Sequence, residues 1–204
     1  MDYIKRIEKI IQEQNGTILS SDLDKYKIPR IYLSMMLDDG QIERIGRGIY
    51  VLPDTLEDEM YILQKKYVNI IYSHEKALFI HGLSDRTPFE YSATVPSGYK
   101  VVEGLKEKCK IYYIKKELHL MGISEDTTTF GNRIRIYNVE RTVCDILRSR
   151  NRIDIQIFSD ALKKVSKIKS LDYNLLLEYA RKLNVENILS TYMEVLLWVE
   201  KPWV

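Results

Sequence analysis

Hydrophobic positions in the first forty residues recur at the spacing of short amphipathic helices. Three isoleucines share one face between residues 2 and 14, with charged side chains on the opposite face, and Asn15-Gly16 follows as a helix stop. A short extended segment comes next, at residues 17–19. The pattern then predicts a second helix from Ser20 or Ser21 to about Tyr26, and a third that has Pro29 in its first turn and ends at Gly40.

The segment from Gly40 to Pro53 has the alternation of a β-hairpin. Two runs, Gln41–Ile45 and Ile49–Leu52, alternate in polarity on either side of Gly46-Arg47-Gly48. The tip therefore presents one arginine between two glycines, which let the backbone approach a phosphate or a groove wall closely. The order helix, strand, helix, helix, hairpin is typical of the winged helix-turn-helix, so we predict this domain for residues 1–54.

The rest of the chain mixes strands and helices. Pro53 and an acidic run mark a boundary, and a connecting helix is predicted over about 56–67. Strands are then predicted at 68–73, 89–96, 109–114 and 133–138, with a helix capped by Ser73. From Asn138 onward the pattern is helical, with four helices, the last ended by Pro202. We therefore expect an α+β protein, in which residues 55–204 form a larger mixed α/β domain ending in a helical bundle.

Charge narrows the ways in which this chain can bind nucleic acid. The formal net charge is only +2, and residues 1–54 hold eight Lys/Arg against nine Asp/Glu. Any nucleic-acid surface must therefore come from clustering of cations rather than from bulk basicity. The N-terminus has no apolar signal segment, no run reaches the ~18 apolar residues of a membrane span, and Cys109 and Cys144 form no disulfide or metal pattern. A cytoplasmic protein without a membrane partner is expected.

The third helix and the hairpin supply the candidate DNA contacts. Leu33, Met36 and Leu37 are expected to face the core, which leaves Arg30, Ile31, Ser34 and Met35 outside. In a recognition helix the first turns reach base edges, and the wing and the preceding turn contact the backbone. The candidate DNA-binding residues are Lys25, Lys27, Arg30, Tyr32, Ser34, Arg44 and Arg47. The alternative is an exposed helix in a protein-interaction module, and a solvated arginine at the hairpin tip.

A second group of cations lies later in the chain. Its arginines are Arg133, Arg135, Arg141, Arg148, Arg150 and Arg152, and five lysines occur between positions 106 and 116. Alternation places Arg133 and Arg135 on one face of their strand. We consider a second basic face built on Arg133, Arg135, Arg148 and Arg150, which could contact flanking DNA, an RNA or an acidic partner. Ordinary surface charge explains the same residues equally well.

Enzyme motifs are missing from the sequence. His74, His81 and His119 lack a third ligand at zinc spacing, so no metal site is predicted. Neither a phosphate-binding glycine loop nor a nucleophile elbow occurs, and the carboxylates are scattered. We therefore predict no catalytic residue, no cofactor and no enzymatic activity.

Four stretches resemble a known family over nearly the whole chain. GTILSSDLDKYKIPRIYLSMMLDDGQIERIGRGIYVLP resembles the N-terminal DNA-binding domain of AbiEi-type antitoxins. YSHEKALFIHGLSDRTP, TVPSGYK and VERTVCDILR are similar to the body of the same family. Such antitoxins belong to AbiE toxin–antitoxin and phage abortive-infection systems, usually grouped as type IV.

The resemblance implies a function. The protein would repress its own operon by binding inverted repeats through the winged helix. It would also counter a cognate nucleotidyltransferase-like toxin, directly or indirectly. Independently of the resemblance, we expect monomers to bind cooperatively, because two weak modules gain by acting together. Two alternatives stay open at this point: a protein-interaction module that binds the toxin directly, and a C-terminal enzyme that modifies the toxin.

Overall fold

Two compact units make up the chain. A computed structural model describes residues 2–54 and 56–199, with the backbone alone for residues 195–199; the helix stop predicted at Pro202 lies outside the described residues. One unit comprises the chain up to Val68 together with Asp126–Ile134, and the other comprises Asn69–Glu125 together with the chain from Arg135 onward. The domain boundary expected at residues 54 and 55 stays a prediction.

The first unit combines four helices with a three-stranded sheet among its described residues. Its elements are α1 (Tyr3–Glu13), β1 (Thr17–Leu19), α2 (Ser20–Lys25), α3 (Ile31–Asp38), β2 (Glu43–Gly46), β3 (Ile49–Val51) and α4 (Glu59–Lys66). The strand order is β1-β3-β2, and both pairings are antiparallel. One shift in register, between Arg44 and Gly46, interrupts the β2–β3 ladder. The elements follow one another along the chain in the predicted order.

Apolar faces of three helices and the sheet form the core of this unit. Ile7, Ile10 and Ile11 of α1 are buried, as are Leu33 and Met36 of α3. These positions are the ones that the amphipathic pattern assigns to the inside. The third helix begins at Ile31, so Pro29 precedes its first turn instead of lying in it.

A buried carboxylate organises the end of the first unit. Asp58 caps α4 by accepting a hydrogen bond from the Tyr61 N–H, and the Thr128 hydroxyl and the Asn132 amide donate to its other oxygen. Asn15 donates in turn to Asn132 at 3.3 Å. The acidic run after Pro53 therefore contains a buried cap as well as solvated charges.

A five-stranded mixed sheet lies at the centre of the larger unit. The elements are β4 (Ile71–Tyr72), α5 (His74–Ile80), β5 (Tyr91–Pro96), α6 (Glu103–Lys106), β6 (Cys109–Ile114), α7 (Lys116–His119), β7 (Ile123–Thr127), β8 (Arg133–Tyr137), α8 (Val139–Arg148), a 3-10 turn (Arg150–Arg152), α9 (Ile155–Val165), α10 (Tyr173–Lys182) and α11 (Glu186–Val199). The strand order is β6-β5-β4-β8-β7. β4 pairs antiparallel with β5 and parallel with β8, and β5 pairs parallel with β6. β7 and β8 continue into the Asp126–Ile134 segment of the first unit.

Helices α8 to α11 pack together after the sheet. Asn138 caps α8 and Asp172 caps α10 through side-chain oxygens that accept backbone N–H groups. The core between them includes Val143, Leu147 and Leu176. The mixed α+β class is confirmed. Within the described residues, no helix is both long and apolar enough to cross a bilayer.

Candidate nucleic-acid interface

The outer face of α3 is a strip of side chains that the fold leaves exposed. Arg30, Ile31, Ser34, Met35 and Asp38 are all exposed. They follow one another at helical spacing, opposite the core-facing positions of the same helix. Two of the predicted contacts, at positions 30 and 34, lie on this strip.

An aspartate holds the arginine at the start of the strip. The Arg30 guanidinium donates to both oxygens of Asp24, with its Nη2 2.5 Å from Oδ2 and its Nε 3.2 Å from Oδ1. This hydrogen bonding raises the pKa of Arg30 and lowers the pKa of Asp24. Both side chains remain more than half exposed, at 59% and 57%. Water screens such a pair, so a phosphate or a base edge can compete for the guanidinium.

Tyr32 lies on the packed side of α3. Its ring is 4.9 Å from the Tyr3 ring of α1, at an angle of 42°, and its side chain packs against the core of the first unit. Only part of this side chain is exposed. A contact from Tyr32 to DNA would therefore come from the edge of the ring.

The two lysines of the preceding turn differ in their partners. Lys25 Nζ lies 2.8 Å from Oδ1 of the buried Asp22, which also accepts the Leu19 N–H as part of the start of α2. Lys27 is exposed and has a positive φ of 54°. No ion pair forms at Lys27 among the described residues, so its ammonium group is available to a phosphate.

The two arginines of the hairpin differ in their contacts. Arg44 donates from Nε to the Gly46 carbonyl at 3.2 Å, across the irregular part of the ladder. Arg47 is exposed at the tip and has no ion pair within the described part of the chain. Tyr50 pairs with Arg44 across the ladder, and it also makes a small contribution to the raised pKa of Arg30. The start of α3 and the hairpin thus lie within electrostatic reach of each other.

The two glycines at the tip have different roles. Gly48 has a φ of +72°, and a Cβ atom there would lie 2.6 Å from the Ser20 hydroxyl oxygen. Ser20 also donates its N–H to the Gly48 carbonyl at 2.8 Å. Gly46 has neither constraint, because its nearest neighbour would be a methyl carbon of Ile49 at 3.7 Å. The close approach at Gly48 is therefore used inside the fold, to join the hairpin to α2.

Three arginines of the second basic group cap backbone carbonyls. Arg152 donates to Ile111 and Arg148 donates to Tyr113, both on β6, while Arg150 donates to Leu147 at the end of α8. β6 is the last strand in the order of its sheet, so these two carbonyls point away from its neighbour β5. The three guanidinium groups are exposed and retain further N–H donors.

The remaining members of that group lie in different environments. Arg133 is exposed, whereas Arg135 is half-buried and donates to the Ile70 carbonyl. Burial lowers the pKa of Arg135. Ile134 and Ile136, which alternate with these arginines along β8, are buried, and this matches the alternation expected for the strand.

Arg141 does not belong to a basic face, which corrects the grouping made from the sequence. Its side chain is fully buried, pairs with Asp145 at 3.0 Å and donates to the carbonyls of Leu118 and Met121. The guanidinium also lies over the Tyr137 ring at 4.3 Å. Burial raises the pKa of Asp145, and Arg141 opposes that rise. This arginine ties α8 to the segment around α7.

His74 is the centre of a buried polar cluster in the larger unit. Its ring stacks on Tyr112, and its two nitrogens lie 2.9 Å from the Ser73 hydroxyl and 3.1 Å from the Ser149 hydroxyl. Burial lowers the pKa of His74 well below 6.5, and nearby arginines act in the same direction. Ser73 and His74 are both buried. The described residues include no group of three or more His, Cys, Asp or Glu side chains placed to hold a metal ion.

Comparison with known proteins bears mainly on the first unit. Residues 5–53 match the family described as "Transcriptional regulator, AbiEi antitoxin", so the resemblance predicted from the sequence is confirmed over that segment. The chain is also similar to the crystal structure of the RV2827C protein from Mycobacterium tuberculosis, with a TM-score of 0.56 and 11% identity over 100% of this chain and 83% of that one. At this identity the likeness concerns the fold alone. No curated protein matches the chain.

Proposed function

We propose that this protein is an antitoxin that represses its own operon, and that its first unit binds DNA as a winged helix-turn-helix domain. The observation that carries the proposal is the family match over residues 5–53. The elements of the first unit and the exposed strip on α3 support it, because a winged helix presents its third helix and its hairpin to the duplex. In this proposal α3 enters the major groove and the hairpin contacts the adjoining backbone.

Each candidate residue has a role that follows from its environment. Arg30 leaves Asp24 to bind a guanine edge or a phosphate, and Ser34 donates to a base edge one turn further along α3. Lys27 and Arg47 contact phosphates, since their charges are unpaired in the described structure. Lys25, Tyr32 and Arg44 contribute from the margins of this surface.

Two copies are needed for useful affinity. The first 54 residues are close to neutral, so one domain neutralises few phosphates. Inverted repeats in the operon promoter would each take one copy, and cooperative binding of monomers would hold the pair more tightly than either copy alone. Arg133, Arg135, Arg148 and Arg150 would add backbone contacts outside the half-sites. The functional boundary lies at residues 54 and 55, with residues 55–204 as the antitoxin domain.

The larger unit counters a nucleotidyltransferase-like toxin in the cytoplasm. We propose that it does so as a binding protein and not as an enzyme. The buried positions of Ser73 and His74 support this choice, because neither side chain is open to a substrate. A direct complex with the toxin is the simpler form of this proposal.

The DNA-binding part is tested with a duplex from the promoter of the protein's own operon. The variant Arg30→Ala/Arg44→Ala/Arg47→Ala should weaken binding at all salt concentrations. It should also flatten the plot of log K against log salt by roughly one unit for each phosphate that the variant leaves without its cation. Fluorescence anisotropy between low and physiological salt measures both quantities.

A matched control removes three cations elsewhere. Lys9→Ala/Lys163→Ala/Lys182→Ala changes the net charge by the same amount, at lysines that each form a local ion pair on an exposed helix face. This control should bind as the wild type does. Equal weakening in both triple variants, or an unchanged salt slope in the first, would contradict the surface assignment.

The antitoxin part is tested separately. Co-expression with the product of the neighbouring toxin gene should restore growth, and the two proteins should elute together in gel filtration. The DNA-binding triple variant should still restore growth, because repression and neutralisation use different units. Rescue without co-elution would favour an indirect antitoxin, and a change in the toxin's mass would favour an enzyme.

A further inference from the structure

Two large apolar side chains project from the outer face of α3. Ile31 is 61% exposed and Met35 is 45% exposed, although both belong to a helix whose inner residues Leu33 and Met36 are almost completely buried. Exposing an isoleucine and a methionine one turn apart has no benefit for the core. Their position on the strip with Arg30 and Ser34 assigns them to whatever α3 contacts.

This strip offers few polar side chains that could recognise base edges. Arg30 is engaged with Asp24 through two hydrogen bonds, and Ser34 has a single short hydroxyl. Asp38, at the far end of the helix, bears the same charge as DNA phosphates. The largest unengaged side chains on the strip are therefore Ile31 and Met35.

Only one group in the major groove suits such side chains. Thymine carries a C5-methyl group at the groove surface, while the other edges present hydrogen-bond donors and acceptors. Residues one helical turn apart are separated by about 5.4 Å, and successive bases by about 3.4 Å along the axis. Two such side chains can therefore reach methyl groups one or two base steps apart.

We infer that Ile31 and Met35 are specificity residues that contact thymine methyl groups in the major groove of the operator. This inference rests on the proposed DNA binding and names what the helix reads. The exposed cations of the first unit favour DNA over a protein surface as the occupant of the strip, and the opposing charge of Asp38 is confined to the far end of the helix. Lys27 and Arg47 are exposed cations without ion pairs among the described residues, and Arg30 is held only by a solvent-screened pair.

The test removes methyl groups from the DNA and apolar groups from the protein in turn. Deoxyuridine replaces thymine one position at a time in the promoter duplex, which deletes the methyl group and keeps base pairing. Wild-type protein should lose about threefold to tenfold in affinity at one or two positions in each half-site, the size expected for one buried methyl group. Ile31→Ser and Met35→Ser should bind more weakly and should each lose sensitivity to deoxyuridine at one of those positions.

The matched control is Ile155→Ser, because Ile155 is similarly exposed, at 71%, on α9 of the larger unit. It should retain both the affinity and the deoxyuridine pattern of the wild type. Normal promoter binding that is indifferent to deoxyuridine at every position would overturn the inference and leave the proposed function standing. Serine variants that bind DNA normally but no longer elute with the toxin would also overturn it, by making the strip a protein interface. Absence of any promoter binding by the wild type would instead overturn the proposed function itself.

Discussion

The two units each contain an arginine–aspartate pair, and the pairs are opposite in environment. Arg30 and Asp24 meet at the surface of the first unit, more than half exposed. Arg141 and Asp145 meet inside the larger unit, where their side chains are 0% and 3% exposed. Both pairs have nitrogen–oxygen distances of 3.2 Å or less. Distance alone therefore does not reveal what a charged pair contributes.

The two arginine–aspartate pairs have different roles because they differ in exposure to solvent. An exposed pair is screened by water and salt, so either partner can be exchanged for a ligand group at little cost. A buried pair has lost its hydration, and removing one partner leaves the other charge uncompensated. The proposed function therefore uses the exposed arginine for recognition, whereas the buried arginine serves the fold.

The largest expected effect comes from breaking the buried pair. Arg141→Ala should lower the free energy of unfolding by about 3–5 kcal/mol, because Asp145 is left buried without its counter-ion. Urea denaturation followed by circular dichroism measures the loss. Arg148→Ala, at an exposed residue of the same helix, is the control and should stay close to the wild type. The double variant Arg141→Met/Asp145→Leu should be more stable than Arg141→Ala, and the reverse order would contradict the buried-pair argument.

Acid should weaken the larger unit through His74. The folded-state pKa lies well below 6.5, so the unfolded chain binds a proton that the folded chain excludes. The contribution of neutral His74 to the free energy of unfolding is fully present above about pH 6.5. Below that pH, the free energy of unfolding should fall by up to about 1.4 kcal/mol per pH unit. Denaturation at pH 7.5, 6.5 and 5.5 measures this slope.

His74→Asn serves as the comparison for that slope, since asparagine tolerates the positive φ of 49° found at this position. The variant should be less stable at pH 7.5 but should lose less on acidification. His119, whose pKa burial also lowers, leaves part of the slope in place. An identical slope in both proteins would show that His74 does not carry the effect.

A smaller loss of stability is expected on substituting the hairpin glycines, and it should differ between Gly48 and Gly46. Gly48→Ala should destabilise the first unit by about 1–2 kcal/mol, because a side chain there combines a positive φ with a clash against Ser20. Gly46→Ala lies two residues away in ordinary backbone, where the new Cβ would make only a normal contact of 3.7 Å with an Ile49 methyl carbon, and it should be close to neutral. Thermal unfolding of the two variants side by side measures the difference. Equal destabilisation would mean that the hairpin tolerates no side chain at either glycine.

The smallest effect on stability, and an opposite effect on binding, should come from the exposed pair. Asp24→Asn should leave the unfolding transition unchanged, because both groups are largely solvated. It should strengthen promoter binding, because it releases Arg30 and removes a negative charge beside the duplex. Anisotropy titrations at low salt give the comparison. Weaker binding would indicate that Asp24 positions Arg30 for contact instead of restraining it.

Local signals predicted much of the fold. The order of elements in the first unit, the strand at Cys109–Ile114 and the start of α8 at Asn138 follow from periodicity and capping chemistry, which act over a few residues. β7 was not predicted, because its sequence, Ile-Ser-Glu-Asp-Thr, is mostly polar and its strand form depends on its neighbour β8 in the sheet.

The environments of charged side chains could not be predicted in the same way. Arg141 is buried because carbonyls some twenty residues earlier in the chain, at Leu118 and Met121, fold over it. One available signal was the spacing of four between Arg141 and Asp145 within α8, which lets the two side chains pair on one face of the helix. The Asp24 partner of Arg30 depends on the turn between α2 and α3, and the Ser20 neighbour of Gly48 depends on the pairing of β1 with β3. Periodicity encodes neither of these.

The arginines that cap the outer side of β6 have a consequence for handling the protein in concentrated solution. A strand at the end of a sheet offers backbone groups to any second chain, which is a common start of fibrous association. Here the Ile111 and Tyr113 carbonyls are occupied by cations that would also repel an identical strand. Substituting Arg148 and Arg152 together by neutral residues should therefore lower the protein concentration at which samples become turbid. The same substitutions should leave the melting temperature nearly unchanged.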